Sequence, residues 1–229
     1  VVRSRGLGDV YKRQVQIDIK KLIAYSSISH MGFVMLGISA GRYLSLEGAV
    51  IQMINHGITS GALFMLVGFL YDRRHTRRIS DFGGLKKSMP IYASIFLFTS
   101  FASIGLPGLN GFVGEFMILM GSYPTFKVLT SVAAFGVVLA AIYMLWAYQR
   151  MFNGQLDNDE NAVLSDLNSK ELVAVGPLLA LMLFIGIYPS FIESYVVQDV
   201  SVIYESISNL IGVSPVSYTH LTLPTSNGV

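Results

Sequence analysis

The sequence predicts an all-α protein, a polytopic bundle of transmembrane helices that ends in an amphipathic helix. Of its 229 residues, 52% are hydrophobic and only 13% are charged, whereas soluble domains have roughly 25% charged residues. Several windows of about 18–20 residues hold at most one ionisable group, and that length spans a bilayer. We expect about five crossings, the third of them a discontinuous helix broken by glycine and proline.

Several classes of protein are disfavoured by what the sequence lacks. It contains no cysteine, which excludes a disulfide framework and cysteine-ligated metal or Fe–S sites. It contains no phosphate-binding loop or nucleophile elbow, which argues against substrate chemistry within the chain. The start of the sequence does not have the pattern of a signal peptide.

Both ends of the sequence look foreign to a membrane protein. Residues 1–14 and 215–229 resemble translated adapter sequence that flanks gene fragments, and we expect them not to be biological protein. Two genuine disordered tails are the alternative. Residues 1–14 hold four basic side chains and one acid, so the formal net charge of +2 depends on them. The charge therefore indicates no nucleic-acid partner.

Residues 15–190 form the predicted membrane domain, with an interfacial helix predicted over residues 191–214. The predicted crossings are residues 22–40, 48–71, 90–122, 126–148 and 172–188. A polar, acidic loop separates the last two. Apolar residues then recur at helical spacing, which predicts an amphipathic helix on the membrane surface. Its apolar positions are Ile192, Val196, Val200, Ile203, Ile207 and Ile211.

The charges of the loops predict the orientation. The loop between the second and third crossings is strongly basic, and its members are Arg73, Arg74, Arg77, Arg78, Lys86 and Lys87. The positive-inside rule places this loop in the cytoplasm. The first crossing, preceded by Lys20 and Lys21, then begins inside and the fifth ends outside. The acidic loop before the fifth crossing must also lie inside, although acids count little in this rule.

The third crossing is interrupted at residues 105–111, which read GLPGLNG. A break at bilayer depth frees backbone groups that lipid cannot satisfy, so it must be covered by protein or water. Half-helices around a buried ionisable group are a known way to build an ion site. Glu115 follows this break directly. We therefore expect the break, with Pro107, Gly108 and Asn110, to form part of the functional site.

Three ionisable groups lie inside predicted crossings: His30, His56 and Glu115. At about 1.5 Å per residue, both histidines fall near the middle of the bilayer. Polar residues share a helix face with each of them: Ser26 and Ser29 with His30, and Gln52, Asn55 and Thr59 with His56. Such stripes indicate a hydrated interior seam, and histidine can take up and release protons near neutral pH. The pattern favours a proton path.

Other interpretations remain open from the residues alone. The polar groups could only hold helices together, since intramembrane side chains often hydrogen-bond across helices. His30 and His56 could serve as axial haem ligands, but the arginine or aromatic residues expected around a haem are only weakly represented near them. A metal site made by both histidines and Glu115 would lack a closed geometry.

Three stretches carry a resemblance to a known family. They are residues 18–38 (DIKKLIAYSSISHMGFVMLGI), 47–85 (EGAVIQMINHGITSGALFMLVGFLYDRRHTRRISDFGGL) and 103–123 (SIGLPGLNGFVGEFMILMGSY). They resemble the antiporter-like membrane subunits of respiratory complex I, above all the M type of NADH–quinone oxidoreductase (chain 4 in mitochondria). Mrp-type Na⁺/H⁺ antiporter subunits and membrane-bound hydrogenase subunits are similar in the same stretches. The resemblance covers residues 16–211.

The resemblance implies a proton-translocating subunit without a redox centre, in a complex that couples NADH oxidation and quinone reduction to proton transport. It implies that Glu115 ends the proton pathway, that His30 and His56 belong to its central axis, and that Lys20 and Lys21 begin the first helix of this region. An acid at position 115, where related subunits commonly have lysine, favours the M type. The supporting positions are Ser26, Gln52, Asn55, Pro107, Gly108 and Asn110.

The resemblance also implies what other parts of the complex supply. FMN, Fe–S clusters and quinone would belong to other subunits, and this chain would bind no cofactor. Its partners would be neighbouring membrane-arm subunits, the lipid bilayer and protons, in a bacterial inner membrane. The chain would hold the second of two inverted repeats, with the Glu–Lys pair and central lysine of the family upstream of residue 15. Such a fragment would not pump alone.

Overall fold

The computed structural model describes residues 17–156 and 158–211, and within these ranges the chain is helical. The predictions for residues 1–14 and 215–229 lie outside the described residues, and the predicted interfacial helix is described as far as residue 211. Within the described ranges, β-type pairing is limited to one isolated bridge, between Asp18 and Arg78. The all-α prediction is confirmed.

The helices in chain order are α1 (Ile19–Ala40), α2 (Tyr43–Arg74), α3 (Leu85–Ser88), α4 (Pro90–Ser103), α5 (Asn110–Ser122), α6 (Lys127–Phe152), α7 (Asp159–Ala162), α8 (Ser169–Ile187) and α9 (Ser190–Ile211). Of these, α1, α2, α6 and α8 are each long and apolar enough to cross a membrane. Helices α4 and α5, about 20 Å each at 1.5 Å per residue, form the two halves of the broken crossing. The chain is a multi-pass membrane protein.

Capping residues fix where the first two helices begin and end. The Asp18 carboxylate accepts from the backbone N–H groups of Lys20 and Lys21 at 2.8 and 3.2 Å, so α1 begins at residue 19 rather than the predicted 22. Gly41 ends α1 with a left-handed φ of +63°. This reversal lets α2 begin at Tyr43 rather than the predicted 48.

Helices α2 and α5 touch at backbone level because glycine lies in their interface. A Cβ atom on Gly114 of α5 would lie 2.6 Å from Gln52 Oε1 and 2.8 Å from Gln52 Cα. A Cβ on Gly48 of α2 would lie 2.7 Å from the Cβ of Met117. Small residues are the usual means of close helix packing in membranes. The contact places the Gln52 amide directly beside α5.

The first half of the broken crossing ends in a Schellman motif. Gly105 has a φ of +73°, the N–H of Leu106 donates to Phe101 O at 3.1 Å, and the N–H of Gly105 donates to Ala102 O at 3.4 Å. These bonds satisfy carbonyl groups that the end of α4 would otherwise expose. The glycine is required here because residues with a side chain rarely adopt this φ.

The rest of the break is covered by a neighbouring crossing, as the sequence required. Gly186 of α8 approaches the backbone of Gly108 and Leu109 so closely that a Cβ there would overlap both residues. Leu109 is buried, whereas Pro107 and Gly108 are exposed. The break is therefore packed on one side by protein and open on the other.

A polar clamp holds the end of the bundle that carries the basic loop. Arg73 of α2 donates to both oxygens of Glu171 of α8, each at 2.6 Å. The Asp166 carboxylate accepts from the N–H groups of Ile91 and Tyr92 at 2.8 and 2.9 Å, which caps α4. The acidic loop thus lies at the same end of the bundle as the basic loop, as the predicted order of the crossings requires.

The C-terminal helix α9 packs its apolar stripe against α2 and α5. Val196 and Val200 are buried in a cluster with residues of both helices. Ile192 and Ile207 of the predicted stripe pack partly buried against the same cluster, whereas Ile203 is 47% exposed.

We expect Gly114→Ala to separate α2 from α5, since the added methyl would overlap Gln52. Overpacking of this kind costs about 1–3 kcal/mol. The measurement is thermal unfolding of the full-length subunit in detergent. Gly57→Ala is the matched control, because a Cβ on Gly57 of α2 meets nothing within 4 Å. Equal unfolding temperatures for the two variants would contradict the close contact.

Candidate functional site

The centre of the site is a direct contact between α1 and α5. His30 Nδ1 lies 2.7 Å from Glu115 Oε1, and the two residues are 5% and 4% exposed. They are 85 residues apart in the chain. A buried carboxyl group is costly unless it is hydrogen-bonded, and the His30 imidazole is a partner at hydrogen-bond distance. The two halves of the predicted proton path therefore meet.

Two further residues shape the surroundings of the Glu115 carboxyl. Gln52 Nε2 of α2 donates to the same oxygen, Oε1, at 3.2 Å. Gly105, in the break, lies so close that a Cβ on it would be 2.9 Å from Oε2. The carboxyl is therefore held by donors on one oxygen, while its other oxygen faces the backbone of the break.

The second histidine joins the site through a serine on α1. His56 Nε2 lies 2.6 Å from Ser27 Oγ. The His56 and His30 ring centroids are 5.7 Å apart, with the ring planes tilted by 39°. The structure places Ser29, which the sequence grouped with His30, on the exposed side of α1. Ser27 instead lies on the side of α1 that contacts His56 of α2.

Tyr143 is a site residue that sequence reasoning missed. Its hydroxyl, on α6, donates to Ser26 Oγ of α1 at 2.6 Å. The sequence could have pointed to Tyr143, because it is a tyrosine inside a predicted crossing that has no charged residue between Lys127 and Arg150. A buried tyrosine hydroxyl usually needs a polar partner. This contact joins α6 to the polar face of α1 that carries Ser26 and His30.

Asn110 links the break to α2. It is the first residue of α5, and its side chain is fully buried. Its Nδ2 donates to Thr59 Oγ1 at 3.2 Å, and its backbone carbonyl accepts from Asn55 Nδ2 at 2.8 Å. The start of α5 is therefore fixed by side chains of α2, at the depth of the histidines.

A small polar cavity lies between α1, α2 and the break. About 10 Å³ of it is open to the centre of a water molecule, which is close to the room that one water needs. His30 Nε2 is buried and has no hydrogen-bond partner within residues 17–156 and 158–211. Polar residues that line the cavity include Ser26, Ser27, His30, Asn55, His56 and Thr59. The site thus combines a water-sized space with an unpaired ring nitrogen.

Four residues singled out from the sequence do not join this centre. Lys20 and Lys21 are exposed in the first turn of α1, about 15 Å from His30 along the helix at 1.5 Å per residue. Pro107 and Gly108 lie on the exposed side of the break. The structure brings together the other residues named: His30, His56, Glu115, Ser26, Gln52, Asn55 and Asn110.

The arrangement is suited to moving protons. In the described part of the chain, no group of three or more His, Asp or Glu side chains could hold a metal ion. His30 contacts the Glu115 carboxyl through Nδ1. Its other ring nitrogen, Nε2, is unpaired in the described residues, and His30 lines the cavity. An imidazole in this position can accept a proton on one nitrogen and release one from the other.

The sequence matches the model of the NADH:quinone oxidoreductase/Mrp antiporter transmembrane family over residues 13–142. The chain belongs to this family. The match includes α1, α2 and both halves of the broken crossing. The part of the chain that matches the NADH:quinone oxidoreductase/Mrp antiporter family therefore contains His30, His56 and Glu115.

Named members of the family are similar to this chain over most of its length. NADH-quinone oxidoreductase subunit M of Rhodobacter capsulatus is 47% identical over 189 residues, which are 81% of this chain and 36% of that protein. NADH-ubiquinone oxidoreductase chain 4 of Marchantia polymorpha is 40% identical over 197 residues, 86% of this chain and 38% of that protein. The chain thus spans little more than a third of these relatives.

Two solved structures share the fold. Respiratory complex I from Thermus thermophilus with bound NADH matches with a TM-score of 0.75 and 32% identity, covering 86% of this chain and 40% of the matched chain. The Mrp complex from Dietzia sp. matches with a TM-score of 0.70 and 17% identity, covering 82% and 43%. The second similarity shows the fold alone.

We expect Asn110→Ala to loosen the start of α5, because it removes the side-chain bond to Thr59 and leaves buried polar groups of α2 unpaired. Each such group costs about 1–3 kcal/mol. The measurement is hydrogen exchange of the amides in residues 105–112, in the full-length subunit, where exchange should become faster.

Pro107→Ala is the matched control in the same break, since Pro107 is exposed. It should leave the exchange of these amides much closer to that of the unmodified protein. Equal protection in both variants would show that Asn110 does not hold the break.

Proposed function

We propose that this chain is part of an M-type, proton-translocating subunit of an NADH–quinone oxidoreductase. In this proposal His30, His56 and Glu115 carry protons within a bacterial inner membrane. The observation that carries it is the buried contact of 2.7 Å between His30 and Glu115, beside a second histidine and a water-sized cavity. The relatives named subunit M support the choice of complex.

The proposed transfer passes through the His30 ring. One water in the cavity would connect His56 to His30 Nε2, since the ring centroids are 5.7 Å apart. A proton then binds Nε2 while the proton on Nδ1 moves to Glu115 Oε1. The water would give its proton to Nε2 and take one from protonated His56, while the N–H bond at Nδ1 breaks and an O–H bond forms on Glu115, which becomes a neutral acid. No electron moves in this step, so the chain needs no redox group.

The break gives the Glu115 carboxyl room to change its environment. Residues 105–111 are covered by α8 on one side and exposed at Pro107 and Gly108. We propose that this segment is a hydrated gate, through which a protonated Glu115 gains access to the outer side. Breaks in membrane helices beside ionisable groups are used for ion transport in this way.

The proposal assigns redox chemistry and further contacts to other proteins. FMN, Fe–S clusters and quinone would be bound by other subunits, as the sequence resemblance implies. The crossings α6 and α8 are each only 17% buried in their most apolar window. These faces suit lipid and neighbouring membrane-arm subunits, which is consistent with the multi-subunit complexes among the structural relatives.

An Mrp-type antiporter subunit is the second candidate, favoured by the similarity of its fold. The acid at position 115 and the relatives named subunit M support the respiratory complex instead. Neighbouring genes distinguish the two candidates. Genes for a flavoprotein and a quinone module beside this one would favour the respiratory complex, and their absence would favour the antiporter.

We expect Glu115→Gln, made in the full-length subunit within its assembled complex, to block proton transfer through this subunit. Glutamine keeps the shape and can still bond His30, but it cannot carry a proton, and loss of a proton-transfer group costs roughly 100-fold in rate. The measurement is dye-detected proton uptake by inverted vesicles together with NADH oxidation.

Glu205→Gln is the control, because Glu205 is an exposed acid on α9. It should leave the number of protons moved per NADH unchanged. If Glu115→Gln moved as many protons per NADH as the control, the polar groups would be structural and the proposed function would be rejected.

A further inference from the structure

A tyrosine of α6 reaches the polar cavity through a serine of α1. Tyr143 is half-buried, and its hydroxyl donates to Ser26 Oγ at 2.6 Å. Ser26 is 4% exposed and lines the cavity together with His30, which follows it by four residues on the same face of α1. The contacts therefore run from α6, through the Ser26 hydroxyl, to a cavity that His30 also lines.

The hydroxyl hydrogen of Ser26 is available to a group in this cavity. A serine hydroxyl has one hydrogen to donate and two lone pairs that accept, and Tyr143 occupies one of those lone pairs. Serine inside a helix often donates to the carbonyl one turn earlier, as Ser60 and Ser100 do in this structure. In the described part of the chain, the Ser26 hydroxyl makes no such bond, and its contact is with Tyr143.

The partner of Tyr143 distinguishes it from a tyrosine that only joins helices. Tyr92 of α4 donates its hydroxyl at 2.8 Å to the backbone carbonyl of Leu66, which has no hydrogen to donate in turn. Tyr143 donates to a hydroxyl, which can direct its own hydrogen toward a third group. Because tyrosine ordinarily ionises only at about pH 10, Tyr143 keeps its proton. Its effect is therefore on the orientation of Ser26.

The His30 ring is the group that this orientation serves. Its Nδ1 contacts Glu115, whereas its Nε2 is buried without a partner in residues 17–156 and 158–211. In the proposed transfer, Nε2 receives a proton from a water in the cavity. A buried water is held by about three hydrogen bonds. A hydrogen bond from Ser26 would fill one lone pair of this water and leave both of its hydrogens for acceptors such as Nε2.

We propose that Tyr143 is a positioning residue for proton transfer, which acts through Ser26 to orient the cavity water toward His30 Nε2. The inference rests on the proposed function, because it needs His30 to receive protons from that water. No covalent bond of Tyr143 or Ser26 breaks, and their hydrogen bonds only hold the water in place. Without the Tyr143 hydroxyl, Ser26 is free to turn to the carbonyl one turn earlier, and the water loses its fixed donor.

The test measures proton uptake by inverted vesicles that contain the full-length subunit in its assembled complex. The uptake that Glu115→Gln removes defines the share of this subunit. Tyr143→Phe keeps the ring and should lower that share roughly two- to tenfold, the effect of losing one hydrogen bond. Tyr195→Phe is the matched control, because it removes the same hydroxyl from a residue of α9 that is 69% exposed. It should keep the whole share.

A double variant shows whether Tyr143 acts through Ser26. Ser26→Ala should lower the share of this subunit as much as Tyr143→Phe does. Combining the two substitutions should lower it no further, because both remove the same donor to the water. Losses that multiply in the double variant would show that the two residues act independently and would overturn the proposal.

Heavy water separates positioning from packing. If Tyr143 orients the transferring water, Tyr143→Phe makes proton transfer the slower step, and the solvent isotope effect on proton uptake should rise. A variant that only loosens the bundle lowers the amount of intact complex and leaves this isotope effect unchanged. Should Tyr143→Phe prevent assembly, the same measurement on Ser26→Ala decides, and an unchanged isotope effect there would contradict the proposal.

The outcomes distinguish this inference from the function on which it rests. If Glu115→Gln blocked proton transfer while Tyr143→Phe matched Tyr195→Phe, Tyr143 would have no positioning role and the proposed function would stand. If Glu115→Gln moved as many protons per NADH as Glu205→Gln, the proposed function itself would fail.

Discussion

The buried contact between His30 and Glu115 places the strictest demand on the packing of this chain. Carboxyl and imidazole groups lose their hydration inside a membrane, so each must find a partner at hydrogen-bond distance. That requirement brings α1 and α5 together, and Gln52 adds α2 as a third contributor. Gln52 reaches the carboxyl because Gly114 lets the backbones of α2 and α5 touch. One polar contact and one glycine interface thus depend on each other.

The broken crossing satisfies a second constraint, which is backbone hydrogen bonding in lipid. The Schellman motif at Gly105 closes the end of α4, and Asn110 fixes the start of α5 through α2. Helix α8 covers one side of the break, where Gly186 approaches the backbone of Gly108 and Leu109. Each free backbone group would cost several kcal/mol in hydrocarbon, so the break is an ordered element.

The residues that stabilise the bundle and the residues that we propose to carry protons lie at different depths along the helices. At the end with the basic loop, Arg73 and Asp166 have complete sets of partners, which join α2, α4 and α8. In the middle, His30 Nε2 and Gln52 Oε1 are buried without partners in the described residues. Local rules of polar satisfaction are commonly broken at functional sites. Of these atoms, His30 Nε2 lies on the route along which we propose that protons move.

The sequence by itself determined the features that depend on neighbouring residues. Hydropathy and length located the crossings, glycine and proline located the break, and helix spacing placed His30 and His56 near one depth. It did not determine the rotation of each helix about its axis. The tertiary structure decided that Ser27 rather than Ser29 faces the interior, and it added the contact of Tyr143.

The physical reason is that packing between helices far apart in the chain sets the rotation of each helix about its axis and the residues that it contacts. Glycines packed across the α2–α5 interface choose which faces meet, and no local pattern specifies which glycine will be at a contact. A Cβ at Gly114 would overlap α2, whereas one at Gly57 would meet nothing. The sequence specified which groups could carry protons, and packing decided which of them meet.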